Sequence, residues 1–259
     1  MDDEPPATTY DDSHRAFLQS FFSHSTLTFP AAKPLLAAIL TAQTSREVLP
    51  NDITEPDFTT HVAACNAAIS RFDLEIRSTL RQTDRVRVWA LVNTTSDSVT
   101  QLATTRSADE IAFVKRVLDE MFIANNTRSA EVLAVTSMQA LKVHKAVAVR
   151  RDMDGEQEDG RGGAAGQGLT MMQAERVLGG LVEEGWFERS ERGFYSLSPR
   201  ALMELRGWLL ETYNEVVEED EEEEEEGTLD DRVRLCRACR DIVTVVCMAA
   251  RVMRFQWGF

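Results

Sequence analysis

The sequence predicts an α+β fold, mostly α, and three features carry that prediction. Apolar side chains recur at three- and four-residue steps over long stretches. Twice that period gives way to alternation at two. Ser or Thr with an acid or amide three positions on marks several helix starts. The clearest stretch is 168–213, GLTMMQAERVLGGLVEEGWFERSERGFYSLSPRALMELRGWLLETY. Thr170 and Gln173 form a capping box, and Val177, Leu178, Leu181 and Val182 give the apolar stripe of a helix. Trp186 and Phe187 open an extended segment, Gly193 marks a turn, and Phe194, Tyr195 and Leu197 return as a second strand. Ser198 caps the next helix with Pro199 at its first position, where a missing N–H costs nothing. Helix, hairpin, helix is the outline of a winged-helix module.

Residues 1–12, acidic and proline-bearing, read as a disordered tail. From Ser13 the pattern is helical, with Phe17, Leu18, Phe21 and Phe22 on one face. A second helix is predicted over Ala32 to Gln43, burying Leu35, Leu36, Ile39 and Leu40. A third starts at Thr54-Glu55-Pro56 and carries Phe58, Val62, Cys65, Ala68, Ile69 and Phe72. Leu74, Ile76 and Ser78 then lead into a turn near Arg81 to Asp84. Val86, Val88, Ala90 and Val92 alternate on the way back, with Trp89 and Leu91 on the other face. Three helices and a hairpin repeat the winged-helix outline, without a residue-level repeat. Ser107-Ala108-Asp109-Glu110 is a capping box opening a helix with Ile111, Val114, Val117, Leu118, Met121 and Phe122 buried. A first helix of the second module is expected around Ala130 to His144. The Gly- and charge-rich 152–168 reads as a disordered insertion; its glycines lack the strand, helix and Lys-Ser/Thr that cradle phosphate. The resulting division is a tail 1–12, a first winged-helix domain 13–105, a second 106–213, an acidic linker 214–231 and a C-terminal segment 232–259.

The net charge of −15 is uneven, because nine unbroken acids, Glu218 to Glu226, hold more than half of it. Like charges this dense cannot share a packed face, so the run reads as a solvated linker. No charged-then-apolar export signal opens the chain and no apolar run is long enough for a bilayer, so a soluble intracellular protein is expected.

Winged helices that read DNA place the helix before the wing in the major groove. In the second module that helix carries Glu175, Glu183 and Glu184 against Arg176, which suits a protein partner better than a duplex. The first hairpin is more basic, with Arg77, Arg81, Arg85 and Arg87 against Glu75 and Asp84. It reads either as a solvated wing edge or as a weak, sequence-independent phosphate contact, since no base-reading side chains accompany it. Phe17, Phe21 and Trp186 are read as core, with a partner-facing role as the alternative.

Of four cysteines, Cys65 sits on an apolar helical face and reads as core. Cys236 and Cys239, in RLCRACRD, have metal-ligand spacing. Two thiolates make half of a structural zinc site, with Cys247 a candidate third ligand. The histidines are His14, His24, His61 and His144, and none follows the cysteine pair. G-x-S-x-G, H-E-x-x-H and dinucleotide fingerprints are absent, and no catalytic residue is assigned.

The runs ALVNTTSDSVTQLATTRSADEIAFVKRVLDEMF and LVEEGWFERSERGFYSLSPRALMELRGWLLETYNE resemble the RING-containing non-SMC element of the SMC five/six chromosome complex, in a fungal-type form. CRACRDIVTV looks like the first zinc knuckle of that family's variant RING. The resemblance covers about Ser13 to Val245. It implies tandem winged-helix domains, then a RING-like domain binding two zincs. It also implies pairing with a MAGE-type subunit, contact with a kleisin subunit, and a nuclear ubiquitin-ligase role in DNA repair and recombination with a conjugating enzyme. Cys236 and Cys239 carry over as the first two zinc ligands, and Cys247 falls near a third. After Val245 the family's cysteine- and histidine-rich continuation gives way to VCMAARVMRFQWGF, which reads as a shifted frame, a retained intron or a premature stop. The expectation is therefore a truncated zinc-binding RING-like C-terminus on a scaffold subunit, with ligase activity belonging to the intact form. The alternative is a stand-alone winged-helix DNA-binding regulator, against which the acidic helix of residues 171–184 counts.

Overall fold

The computed structural model describes residues 10–94, 105–127, 130–131, 133–145, 168–214, 232–237 and 239–244. The expected tail up to residue 9, almost all of the 152–168 insertion, the acidic run and Cys247 lie outside them. The chain groups into two compact units: Met1–Ser98, Ser198–Trp208 and Leu235–Phe259 form the first, Val99–Leu197 and Leu209–Arg234 the second.

In the first unit, α1 (Asp12–Ser23) is capped by Asp11, whose side chain accepts the amides of Ser13 and His14. Hydrogen bonds from the Ser13 hydroxyl, then His14 and Gln43, hold the Asp11 carboxyl well below the usual carboxylate range. A short strand β1 (Leu27–Thr28) runs directly into α2 (Phe29–Thr44), where Thr28 caps and Pro30 occupies the first turn. Helix α3 (Glu55–Ile69) starts on a capping box between Thr54 and Asp57. The hairpin of β2 (Leu74–Leu80) and β3 (Arg87–Asn93) completes a three-stranded sheet of order β1-β3-β2.

One face of that sheet closes on an aromatic chain. Phe58, fully buried, meets Phe17 edge-on at 5.7 Å and Trp89 at 4.8 Å. Phe17 and Phe21 are core, as expected, and so is Cys65, whose thiol burial pushes up to about 12. Two expected core aromatics are not: Phe22 is 70% exposed and Phe72 63% exposed. Phe22 sits one residue, about 100° of helix, past Phe21. Phe72 falls in a 3₁₀ turn, Ser70–Phe72, where the α period has ended. In α2 the fully buried residues are Ala32, Leu36 and Ala37, while Leu35, Ile39 and Leu40 pack at the margin.

Strand alternation puts Val88, Ala90 and Val92 on the sheet face opposite Trp89. All three are buried, and α7 (Pro199–Glu204), capped by Ser198, packs against β3. Ser198 and Pro199 start that helix as the sequence predicts.

The second unit opens on α4 (Ala108–Asp119), capped by Ser107 and Glu110 and running into a π turn, Glu120–Ala124. Strands β4 (Asn126–Thr127) and β5 (Ala130–Glu131) pair with each other. The helix expected around Ala130 to His144 is shorter than predicted. Ala134–Thr136 form strand β6, and α5 spans only Ser137–Lys142. Two interactions decide this: β6 pairs with Phe194, Tyr195 and Ser196, and Thr136 caps α5 with Gln139. Helix α6 (Met171–Glu183) carries the predicted Thr170–Gln173 capping box. Then β7 (Phe187–Arg189) and β8 (Phe194–Leu197) follow, with Gly193 at φ +78° in the turn. Trp186 is buried in this unit. The sheet order is β6-β8-β7, and apart from the added β4–β5 pair the second unit repeats the order of the first: helix, short strand, two helices, hairpin. Helix α8 (Arg206–Tyr213) ends with Tyr213 stacked on Phe122 at 4.9 Å and its hydroxyl donating to Asp119.

Glu204 is the notable polar group of the first unit's core, only 8% exposed and 3.5 Å from Arg200 Nε. Burial pushes its carboxyl up, more than Arg200 and the backbone of Asn93 pull it down. The folded chain therefore binds a proton that the unfolded chain releases near the ordinary Glu range. Stability from this group is full below that range and falls as pH rises through the raised value. Glu204→Gln is expected to flatten that fall and to melt no lower than wild type at pH 7. A melting point several degrees lower would show that the ionised carboxylate stabilises the core.

Candidate metal-binding knuckle and the hairpin beneath it

Residues 235–237 and 239–244 run antiparallel through a tight turn, with Leu235 bridged to Ile242. The Cys236 amide donates to Asp241 O at 2.8 Å, and the Arg240 amide returns to Cys236 O at 2.8 Å. Arg240 takes φ +62°, the left-handed conformation that folds the chain back after the second cysteine. The two sulfurs are close enough to hydrogen-bond, and the Asp241 backbone hydrogen-bonds to the Cys239 thiol. Burial, and then the Cys236 contact, raise the Cys239 thiol to about 11 despite that amide. Cys236 is buried and Cys239 exposed.

This geometry brings together two soft donors on one knuckle, which suits zinc. It supplies half of a closed tetrahedral set. Among the described residues no group of three His, Cys, Asp or Glu could hold a metal ion. His14 and His61, stacked at 4.6 Å in the first unit's core, belong to a structural cluster with Asp11.

Three side chains that sequence reasoning did not single out bind this segment or the residues before it. Thr79 Oγ1 donates to Asp241 Oδ2 at 3.0 Å. Gln82 donates through Nε2 to Ile242 O and accepts the Thr244 amide at 3.0 Å. In the second unit, Asn214 accepts the Val233 amide and donates to its carbonyl, at 2.8 and 3.0 Å. Such amides carry no local signal, because their partners lie far off in sequence; Gln82 and Thr244 are 162 positions apart.

The four arginines of the first hairpin do not form one strip. Register pairs Arg77 with Ala90 and Leu80 with Arg87, so Arg77 and Arg87 project from opposite faces. Arg77 is ion-paired with Glu75 at 2.7 Å and Arg81 with Asp84 at 2.9 Å. Arg87 donates to Ser78 Oγ at 3.1 Å, and Arg85 turns the chain at φ +63°.

Two units whose sheets share one strand order, with a thiol knuckle on the hairpin of the first, make up the described fold. The chain belongs to the family of the Nse1 non-SMC component of SMC5-6 complex, whose model matches residues 14–205. It is 24% identical over 208 residues to the human non-structural maintenance of chromosomes element 1 homolog, covering 80% of this chain and 66% of that one. The cattle homolog is 22% identical over 233 residues, 90% of this chain and 70% of the relative. The chain thus spans about two thirds of the length of these relatives. A solved structure of a chain in an Nse1-Nse3-Nse4 complex matches the fold with TM-score 0.62 at 16% identity, over 95% of this chain and 92% of that chain. No helix among the described residues is long and apolar enough to cross a membrane.

The arginine geometry sets an expectation for DNA. No more than two of the four reach phosphate without giving up a carboxylate, so this hairpin contributes a log–log salt slope no steeper than about −2. A drop of about 4 in that slope on replacing all four by Ser would show that the whole set contacts phosphate.

Proposed function

We propose that this chain is a nuclear scaffold subunit of the SMC5-6 chromosome-maintenance complex, acting in DNA repair and recombination by pairing with a MAGE-type subunit and contacting a kleisin subunit. The family match over residues 14–205 carries this reading, since it runs through elements of both units. We read both units as winged-helix domains, supported by their shared order of elements and the shared order of their sheets. The acidic α6, with Glu175 and Glu183, suits a protein partner better than nucleic acid. Support for a partner-facing surface on the second unit comes from Met138, Met171 and Met172, which are 73%, 54% and 72% exposed at the starts of α5 and α6. Methionine adapts its shape to a binding surface at little conformational cost.

RING-type ubiquitin transferase activity, with a conjugating enzyme as partner, is the activity that the family resemblance implies for the intact form. Such a ligase presents its partner on a metal-fixed surface, so the chain's own work is positional and no catalytic side chain is assigned. Cys236 and Cys239 would hold a zinc as two of its four ligands, and zinc when bound would lock the turn they share. The remaining ligands, Cys247 among the candidates, are not among the described residues.

Replacing Met138 and Met172 together by Lys is expected to weaken binding to the MAGE-type subunit about tenfold or more, without lowering the melting point of the chain. Unchanged affinity in a titration would move the partner surface away from these helix starts.

A further inference from the structure

We infer that Gln82, with Thr79, is a positioning residue for the Cys236–Cys239 turn: the first hairpin is the seat on which the thiol knuckle is held in shape. The knuckle has little structure of its own. Among its described residues the antiparallel pairing amounts to a single bridge, Leu235 to Ile242, and two backbone hydrogen bonds close the turn. An isolated pairing of that size is marginal in water. What fixes it is external. Gln82, in the hairpin turn, gives its amide N–H to Ile242 O and takes the Thr244 N–H on its oxygen, which is the pattern a neighbouring strand would offer. Thr79, at the end of β2, binds the Asp241 carboxylate. Asp241 is also the residue whose backbone accepts the Cys236 amide and hydrogen-bonds to the Cys239 thiol. Gln82 and Thr79 therefore grip the residues that set the spacing of the two thiols. Ile242 and Cys236 are buried at 3% and 5% exposure, so the seat shields one thiol and leaves the other open.

Gln82 and Thr79 hold the knuckle through contacts within this chain, whatever its partners. Gln82 touches neither sulfur; it acts through Ile242, Thr244 and the turn between them.

The described cysteines provide the test with its own controls. Cys65 is 0% exposed in the core and reacts only on global opening; Cys236 reacts when the knuckle leaves its seat; Cys239 is exposed throughout. Alkylation by iodoacetamide of the full chain, with zinc removed by a chelator, is followed site by site by mass spectrometry. Gln82→Ala removes two hydrogen bonds and is expected to accelerate Cys236 about tenfold, with Cys65 and Cys239 within about twofold of wild type. Gln82→Glu keeps the acceptor for Thr244 but sets a carboxylate oxygen against the Ile242 carbonyl, so it also accelerates Cys236. Thr79→Val, which leaves the hairpin turn untouched, is expected to accelerate Cys236 by a few fold. An unchanged Cys236 rate in Gln82→Ala and Thr79→Val overturns the inference. So does acceleration only in proportion to Cys65, which would make the effect global unfolding.

Discussion

Strand Arg87–Asn93 is buried on both faces, and the first unit is arranged to achieve that. Trp89 meets Phe58 on one side, while Val88, Ala90 and Val92 need cover on the other. A strand whose both faces are apolar cannot leave one open to water without losing roughly 25 cal/mol for each Å² exposed. Local chain cannot supply the second cover, because α1 to α3 are committed to the Phe17–Phe58 side. The cover comes instead from Pro199–Glu204, more than a hundred residues later in the chain, which is why that helix groups with the first unit. The same economy of surface brings Glu204 into the core beside Arg200.

Where pairing by strands runs out, side-chain amides take over. Asn66 binds both the N–H and the carbonyl of Ile76, tying α3 to the start of β2. Asn214 does the same for Val233, and Gln82 does so for Ile242 and Thr244. Each amide uses one N–H and its oxygen here, the complement of a peptide unit. A segment held this way is satisfied without a sheet, and its attachment rests on single residues.

Local signals were legible in the sequence to the extent that local chemistry decided them. The capping boxes at Ser107 and Thr170, the helix start at Thr54-Glu55-Pro56, the Ser198-Pro199 start and the Gly193 turn all stand where the sequence puts them. Periodicity misled at ends: Phe22 and Phe72 continue an apolar count past the point where the helix face or the helix itself stops. At Ala134–Thr136 the apolar stretch is ambiguous in sequence, and a long-range pairing with β8 makes a strand of what was expected to be helix. The spacing of Cys236 and Cys239 announced a knuckle, whereas its seat at Thr79 and Gln82 depends on partners some 160 positions away and had no local signature. The four hairpin arginines looked contiguous by count. Strand pleat and register separate Arg77 from Arg87, which counting cannot show.

The same reasoning bears on function. The family match across both units and the exposed Met138, Met171 and Met172 are what the proposed subunit role rests on. Size-exclusion chromatography with light scattering, on the chain co-expressed with a MAGE-type and a kleisin subunit, tests the proposed role most directly. The account predicts a stable complex with one copy of each subunit, surviving dilution well below micromolar concentration. Elution of the chain as a lone monomer beside a MAGE–kleisin pair would contradict it.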